Sequence, residues 1–465
     1  MTTPLIERPG AIWLDSGRPE EGSAPGWSYV AVEPAVWLRG RGDELELLPG
    51  PLGDRGWLER VRALDPGTGG AYERLQAIGR GLARWSQPLR AVGPARFTGG
   101  LAGFFSYDLG RRFERLDERL PEGTVPWDFV LGLYDEVLAI DGRTGARRVF
   151  RLRGTPPRLD RDAPLLDGGL DVPGALAAPT PEMSREEHAA AVQAIREHIV
   201  AGTIYQANLT LRFRAPSTHP GAARATFLRL QRTNPAPYAA WLDLPGLSIV
   251  STSPECFLEV DAAGNAVSRP IKGTRPRGLG ADDARSRAAL LASAKDRAEL
   301  TMIVDLVRND LGRVCALGSV SRAPALRCEG HPTVWHLVAD VEGRLRDDAD
   351  GFDLLRAAFP PGSCIGAPKI RAMEVIESLE RSRRGPYTGA IGWIGADGAM
   401  GLSVAIRTLL FREGQVEYGV GGGIVYDSEA DSEWEEALLK GSALARALLA
   451  SGPDTTLTTE APAGN

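Results

Sequence analysis

Ser268-Arg-Pro-Ile-Lys-Gly-Thr-Arg-Pro-Arg277 is the stretch on which the reading of this chain turns. Lys272 stands between Pro270 and Pro276, directly before Gly273. Proline fixes φ and disfavours helix; glycine admits a tight bend. The run therefore predicts a short, stiff loop presenting a lysine, not a mobile helix face. Alone, it reads equally well as a basic surface loop, since three arginines accompany the lysine and short motifs match by chance. The flanking sequence decides between the two.

Downstream, residues 281–311 are helical in character, with Leu300, Ile303, Val304 and Val307 as the apolar stripe. Asp296 and Glu299 lie three apart on that helix and share a face. Thr333 to Val341 reads as a strand carrying His336, by default a satisfied core histidine. Gly366-Ala-Pro368 opens a further helix. Residues 390–394 and 401–410 read as strands, the second holding Arg407 among apolar neighbours. A glycine-rich strand follows over 417–426, with Gly421, Gly422 and Gly423. A last helix over 431–449 carries Glu433, Glu436 and Lys440, and residues 451–465 are expected to be a disordered tail.

Upstream, Ser253-Pro-Glu255 separates two short strands. Residues 205–214 alternate apolar and polar with period two, a strand with Gln206 and Asn208 on its polar side. Ser184 with Glu187 is a capping-box pattern opening a helix. Residues 153–183 hold six prolines and little periodicity, and read as a linker or a long surface crossing. That divides the chain into 1–152, a linker at 153–183, and 184–450. Within the first part, 129–140 and 148–152 read as two strands joined at Asp141-Gly142, a hairpin signal.

The totals narrow the function classes. A chain of 465 residues exceeds one ordinary core; 43% hydrophobic and 25% charged residues are ordinary soluble values. A net charge of −6 suggests no nucleic-acid or membrane attraction. No apolar run is long enough to span a bilayer, and the first twenty residues do not resemble a signal peptide. Four cysteines without CxxC spacing predict thiols in a reducing cytoplasm. Five histidines contain no HExxH pair. The helical acids read either as solvated salt bridges or as ligands of a hard divalent cation such as Mg²⁺. The consecutive glycines suit either a close backbone contact or a small anion.

Order and combination carry more than any single motif. PIKGTRPRG, ELTMIVDLVRNDLGRV, GAPKIRAMEVIE, YTGAIGW, AIRT and GGGIVYDSEADSEWEE follow one another in a sequence that resembles the chorismate-utilising enzymes over about 184–450. The resemblance implies an α+β fold like that of anthranilate synthase component I, two intertwined β-sheet lobes with surrounding helices. It implies that Lys272 attacks C2 of chorismate while the C4 hydroxyl leaves, with ammonia then entering at C4. The family's anthranilate synthase large subunits carry alanine at this place, and its aminodeoxychorismate synthase large subunits carry lysine. By the same resemblance Glu255 is the acid/base and Thr274 hydrogen-bonds near the lysine. Glu299 and Glu436 would be direct Mg²⁺ ligands, backed by Asp296 and Glu433. His336, Tyr387, Arg407, Gly421, Gly422, Gly423 and Lys440 would bind substrate. A separate glutamine amidotransferase subunit would supply ammonia, on the route to 4-aminobenzoate and folate or to a secondary metabolite.

Water-using relatives place a lysine near the position of Gln206, so that branch is disfavoured. The sequence departs from the family pattern at Ile365, where a threonine is usual, which removes a hydroxyl near the substrate. It departs again at Ala298-Glu-Leu300, where many relatives read Glu-His. The rival readings are an anthranilate synthase large subunit and a non-catalytic subunit of the same fold.

Overall fold

The short apolar runs assemble, among the described residues, into antiparallel sheets of eleven, nine and three strands. The structure is a computed structural model that describes residues 3–17, 26–53, 56–86, 96–117, 119–166, 172–321, 326–331 and 334–450. The expected tail at 451–465 lies outside the described residues. Both large sheets take strands from either side of the proline-rich stretch. Ile12–Asp15 pairs with Tyr238–Leu244 in the larger sheet, and Gly100–Phe105 pairs with Ala390–Gly395 in the smaller. Ile12, Tyr29 and Ile249 of the larger sheet share one apolar cluster with Trp37, Phe104 and Ile391 of the smaller. The intertwined α+β body expected from the sequence is the fold observed.

The described parts of the proline-rich stretch, 153–166 and 172–183, pack against this body. Leu159, Ala175 and Met183 are buried in the same cluster as Phe227 and Trp434, and Thr180–Pro181 pairs with the strand Gln206–Pro216.

The outer faces of the sheets are covered by helices. Arg185–Val200 begins at Ser184, whose hydroxyl accepts from Glu187 N at 3.2 Å while the Glu187 carboxylate accepts from Ser184 N at 2.8 Å. The helix expected over 281–311 is broken in two. Ala281–Ala292 ends at Ser293, whose hydroxyl accepts from Asp296 N at 3.2 Å and starts Ala294–Gly312. Leu300, Ile303, Val304 and Val307 bury the stripe of the second helix. Each such side chain contributes about 1.5–3 kcal/mol, several times a surface charge pair. The apolar face therefore holds this helix in place, independently of its acidic face.

Long apolar runs conceal passages between the sheets. Residues 129–140 form two strands, Phe129–Tyr134 in the smaller sheet and Glu136–Asp141 in the larger, with Asp135 at the switch. Residues 401–410 likewise divide into Met400–Val404 in the smaller sheet and Thr408–Arg412 in the larger, and Arg407 stands at the switch with φ 51° rather than within a strand. A third passage joins Leu247–Ser253 to Cys256–Val260 through Pro254 and Glu255. The last two run side by side: Thr252 N donates to Arg407 O at 3.0 Å, and Val404 N donates to Glu255 O at 3.0 Å.

The lysine stretch is not a loop. Ile271–Pro276 is an edge strand of the three-stranded sheet, paired with Val334–Ala339, and its register shifts between Lys272 and Thr274. An edge strand tolerates proline because one side of its ladder is unused. Gly273 makes the shift possible, with φ 78°; a Cβ there would lie 2.9 Å from Asp296 Cβ and Cγ.

Among the described residues, no helix is long and apolar enough to cross a membrane.

Candidate active site

The paired passage delivers Glu255 and Arg407 to neighbouring positions, and the three-stranded sheet brings Lys272 and His336 against them. Glu255 is 5% exposed. Burial pushes its carboxyl up to about 7, against the pull of the Ser363 hydroxyl, the Lys272 charge and the Ile271 backbone N–H. The Lys272 amine donates to the Ser363 carbonyl oxygen at 3.4 Å, a long contact that leaves it open to exchange. Lysine, acid and serine thus converge on one point. The Ile365 side chain turns away from it into an apolar cluster with Ala191, Ile195 and Ala372. Ser363, not position 365, supplies the hydroxyl beside the acid.

A second group forms one wall. Thr274 Oγ1 lies 2.9 Å from His336 Nδ1, and the two residues face each other across the strand pair. The His336 imidazole is pushed down to about 3 by burial and by the charges of Arg407 and His331, so the ring is neutral. His331 packs edge-on against it, with ring centroids 5.1 Å apart. Burial also lowers the Arg407 pKa, and among the described residues its side chain has no ion-pair or hydrogen-bond partner. A cation without a partner in these surroundings is a ready receptor for a carboxylate.

The acids occupy the rim. Lys440 Nζ lies 2.7 Å from Glu436 Oε1 and donates to Gly421 O at 2.9 Å, which ties the last helix to the glycine strand Gln415–Ile424. A Cβ on Gly422 would lie 3.0 Å from Glu433 Oε2, so glycine here lets the acids approach the backbone closely. Ser428 Oγ donates to Glu433 at 2.6 Å. Burial and the Glu436 charge raise the Glu433 carboxyl. Glu436 lies below the usual range, because the charges of Lys440, Lys295 and Lys272 outweigh its burial. Lys295 Nζ is 4.0 Å from Glu299 Oε1, and its charge is felt by Glu433 and Glu436 as well. One cation is therefore already shared between the acids of two helices. Asp296 is not free among them: Arg275 Nη2 donates to it at 2.9 Å. Among the described residues no three His, Cys, Asp or Glu side chains stand together as a metal group.

Tyr387 packs under the glycine strand; a Cβ on Gly419 would lie 2.5 Å from its ring. Its phenol is raised by burial beside Cys364 and Arg384. Gln206 is 1% exposed, both its polar side-chain atoms lack partners among the described residues, and its amide fills the space a Cβ on Gly423 would need.

The motifs leave Lys295 and His331 outside the site, and do not decide whether Ser363 replaces the hydroxyl lost at Ile365. Ser363 stands just before the GAPKIRAMEVIE run, and only the fold shows that its hydroxyl bonds to Glu255. Lys295 reads as a solvated helix residue. His331 is placed by the pairing of Leu326–Gly330 with Val334–Ala339, which no spacing reveals.

This arrangement has known counterparts. The family described as chorismate binding enzyme matches residues 70–446. The chain is 38% identical over 452 residues to anthranilate synthase component 1 1 of Haloarcula marismortui, covering 92% of this chain and 86% of that one. It is 40% identical over 356 residues to aminodeoxychorismate synthase component 1 of Escherichia coli K12, covering 74% of this chain and 76% of that one. Among solved structures, anthranilate synthase component I from Streptococcus pneumoniae TIGR4 superposes with a TM-score of 0.71 at 27% identity, covering 92% of this chain and 94% of that one. The match runs through the paired passage, the lysine strand and the acid-bearing helices alike, and the chain belongs to the chorismate-binding enzyme family.

Proposed function

We propose that this chain is the large subunit of an aminodeoxychorismate synthase, converting chorismate and ammonia to 4-amino-4-deoxychorismate and water. The observation that carries the reading is the Lys272 amine beside the buried, high-pKa Glu255. The relatives bear both family names at similar identity, so overall similarity does not choose the product. The side chain at 272 favours amination at C4 through a lysine adduct.

The Lys272 amine adds to ring C2 as the C4 hydroxyl departs as water, taking the Glu255 proton. The resulting carboxylate recovers a proton from the new secondary ammonium. Ammonia then adds at C4, the C2–nitrogen bond to lysine breaks, and Glu255 returns the proton to the lysine nitrogen. An acid with a pKa near the working pH can serve in both directions. Arg407 and the Gly421–Gly423 backbone would hold the substrate's carboxylates, and the neutral His336, oriented by Thr274, would flank the ring. Tyr387 and Lys440 would fix the strand on which the substrate rests.

Glu299 and Glu436, which already share the charge of Lys295, would suit Mg²⁺, which takes a few carboxylates and keeps several waters. When bound, it would neutralise the ring carboxylate, held directly by Glu299 and Glu436, with Glu433 and Asp296 carrying its waters. Ammonia would come from a glutamine amidotransferase subunit, consistent with relatives named as first components. Gln206 offers an amide where water activation would call for a base.

Incubation with chorismate, Mg²⁺ and ammonium, followed by mass spectrometry of the product, tests the assignment. 4-Amino-4-deoxychorismate is expected. Anthranilate appearing directly would make the chain an anthranilate synthase, and no chorismate consumption with the partner supplied would make it non-catalytic.

A further inference from the structure

We infer that His331 is a substrate contact, donating a ring N–H to a carboxylate of the ligand bound beside Arg407. The inference rests on the proposed binding of a dicarboxylate in this cleft.

The backbone of His331 is fixed on both sides. Its N–H donates to Val334 O at 2.8 Å, and its carbonyl accepts from Arg277 Nη1 at 3.3 Å. Its ring is fixed as well, edge-on to His336. Yet Nε2 is shut off from solvent and, among the described residues, has no hydrogen-bond partner. A buried polar nitrogen on an anchored ring calls for an explanation, and a missing ligand is one. The groups around it say what that ligand carries. The Arg407 charge bears on both histidines, and Arg407 has no acid partner among the described residues. The acid whose charge reaches His331 is Glu329, and it is occupied by Arg327 at 2.5 Å. The corner is therefore rich in donors and short of negative charge. His336 has its Nδ1 on Thr274, whereas His331 Nε2 and the Arg407 side chain are left without partners among the described residues.

Isothermal titration of the full chain with chorismate, alongside steady-state kinetics, tests this. His331→Phe keeps a ring against His336 but removes the donor. Its affinity for chorismate is expected to fall about tenfold, with kcat at saturating substrate changed less than about twofold. His331→Gln restores an N–H at similar reach and is expected to recover most of the affinity. Unchanged affinity in His331→Phe would overturn the contact. So would an equal loss in both variants accompanied by a lowered melting temperature, which would mark His331 as structural. Because the readout is binding, a wild-type chain that binds chorismate but releases anthranilate refutes the reaction assigned above and not this contact. A chain that does not bind chorismate refutes both.

Discussion

The chain carries a buried acid between its two large sheets at Asp135 and again at Glu255, and the two are treated differently. Asp135 is 1% exposed and fully engaged: Trp57 Nε1 donates to it at 3.0 Å and Arg158 Nη2 at 2.5 Å. Glu255 is almost as buried but, among the described residues, has no arginine partner. Its neighbours are a hydroxyl and an amine, and desolvation dominates, so its carboxyl holds a proton up to about 7. The same topological event thus yields a closed structural joint in one place and a poised acid in the other. The difference lies in the partners: fixed cations neutralise a buried acid for good, whereas a weakly held lysine leaves it able to exchange a proton.

Substitutions at the two joints should therefore fail in different ways. Glu255→Gln has the larger expected effect, a loss of about a thousandfold in kcat with chorismate and ammonium. The pH profile should change with it. A raised carboxyl acts as an acid below its folded pKa, so the wild-type rate should fall as pH rises through about 7, and that limb should vanish in the glutamine variant. The stability linkage has the same sign. The carboxyl contributes stability fully present below its ordinary value of 4.5 and lost as pH rises through about 7. Glu255→Gln should accordingly melt higher than wild type at about pH 8 and not at about pH 4. Asp135→Ala has the smaller expected effect, and of the opposite kind. It should cost about 3 kcal/mol in denaturant unfolding, at the low end for a broken buried pair because Arg158 is part-exposed and retains Glu136 at 3.4 Å. Its KM and kcat should stay within about twofold of wild type. Equal losses of activity at both joints would erase the distinction.

Local signals gave much of this architecture. The Ser184 capping box, the period-two polar face at Gln206 and the apolar stripe at Leu300 appear where the sequence places them. So does the hairpin at Asp141-Gly142, between Glu136–Asp141 and Arg147–Arg151. The passages between sheets were not legible, because an apolar run looks alike whether its residues pair within one sheet or pass to a second. A charged residue inside such a run, Asp135 or Arg407, was the available sign, and it marks the switch in both cases. The lysine stretch was misjudged for a related reason. Proline argues against a central strand but not against an edge, and edge status depends on distant pairing partners. The break at Ser293 was readable, since a serine three residues before Asp296 is a helix-start pattern. The composition of the site came from ordered motifs, but its internal wiring did not. That Ser363 rather than position 365 serves Glu255, and that His331 backs His336, are consequences of tertiary packing.

The central claim is that Lys272 bonds to the substrate ring. The most direct measurement is peptide mass spectrometry of the chain quenched with chorismate and Mg²⁺ in the absence of ammonium. The peptide containing Lys272 is expected to be heavier by chorismate less water, the adduct disappearing when ammonium is added and never forming in Lys272→Ala, which also makes no 4-amino-4-deoxychorismate. An unmodified Lys272 peptide, together with undiminished product formation by Lys272→Ala, would contradict it.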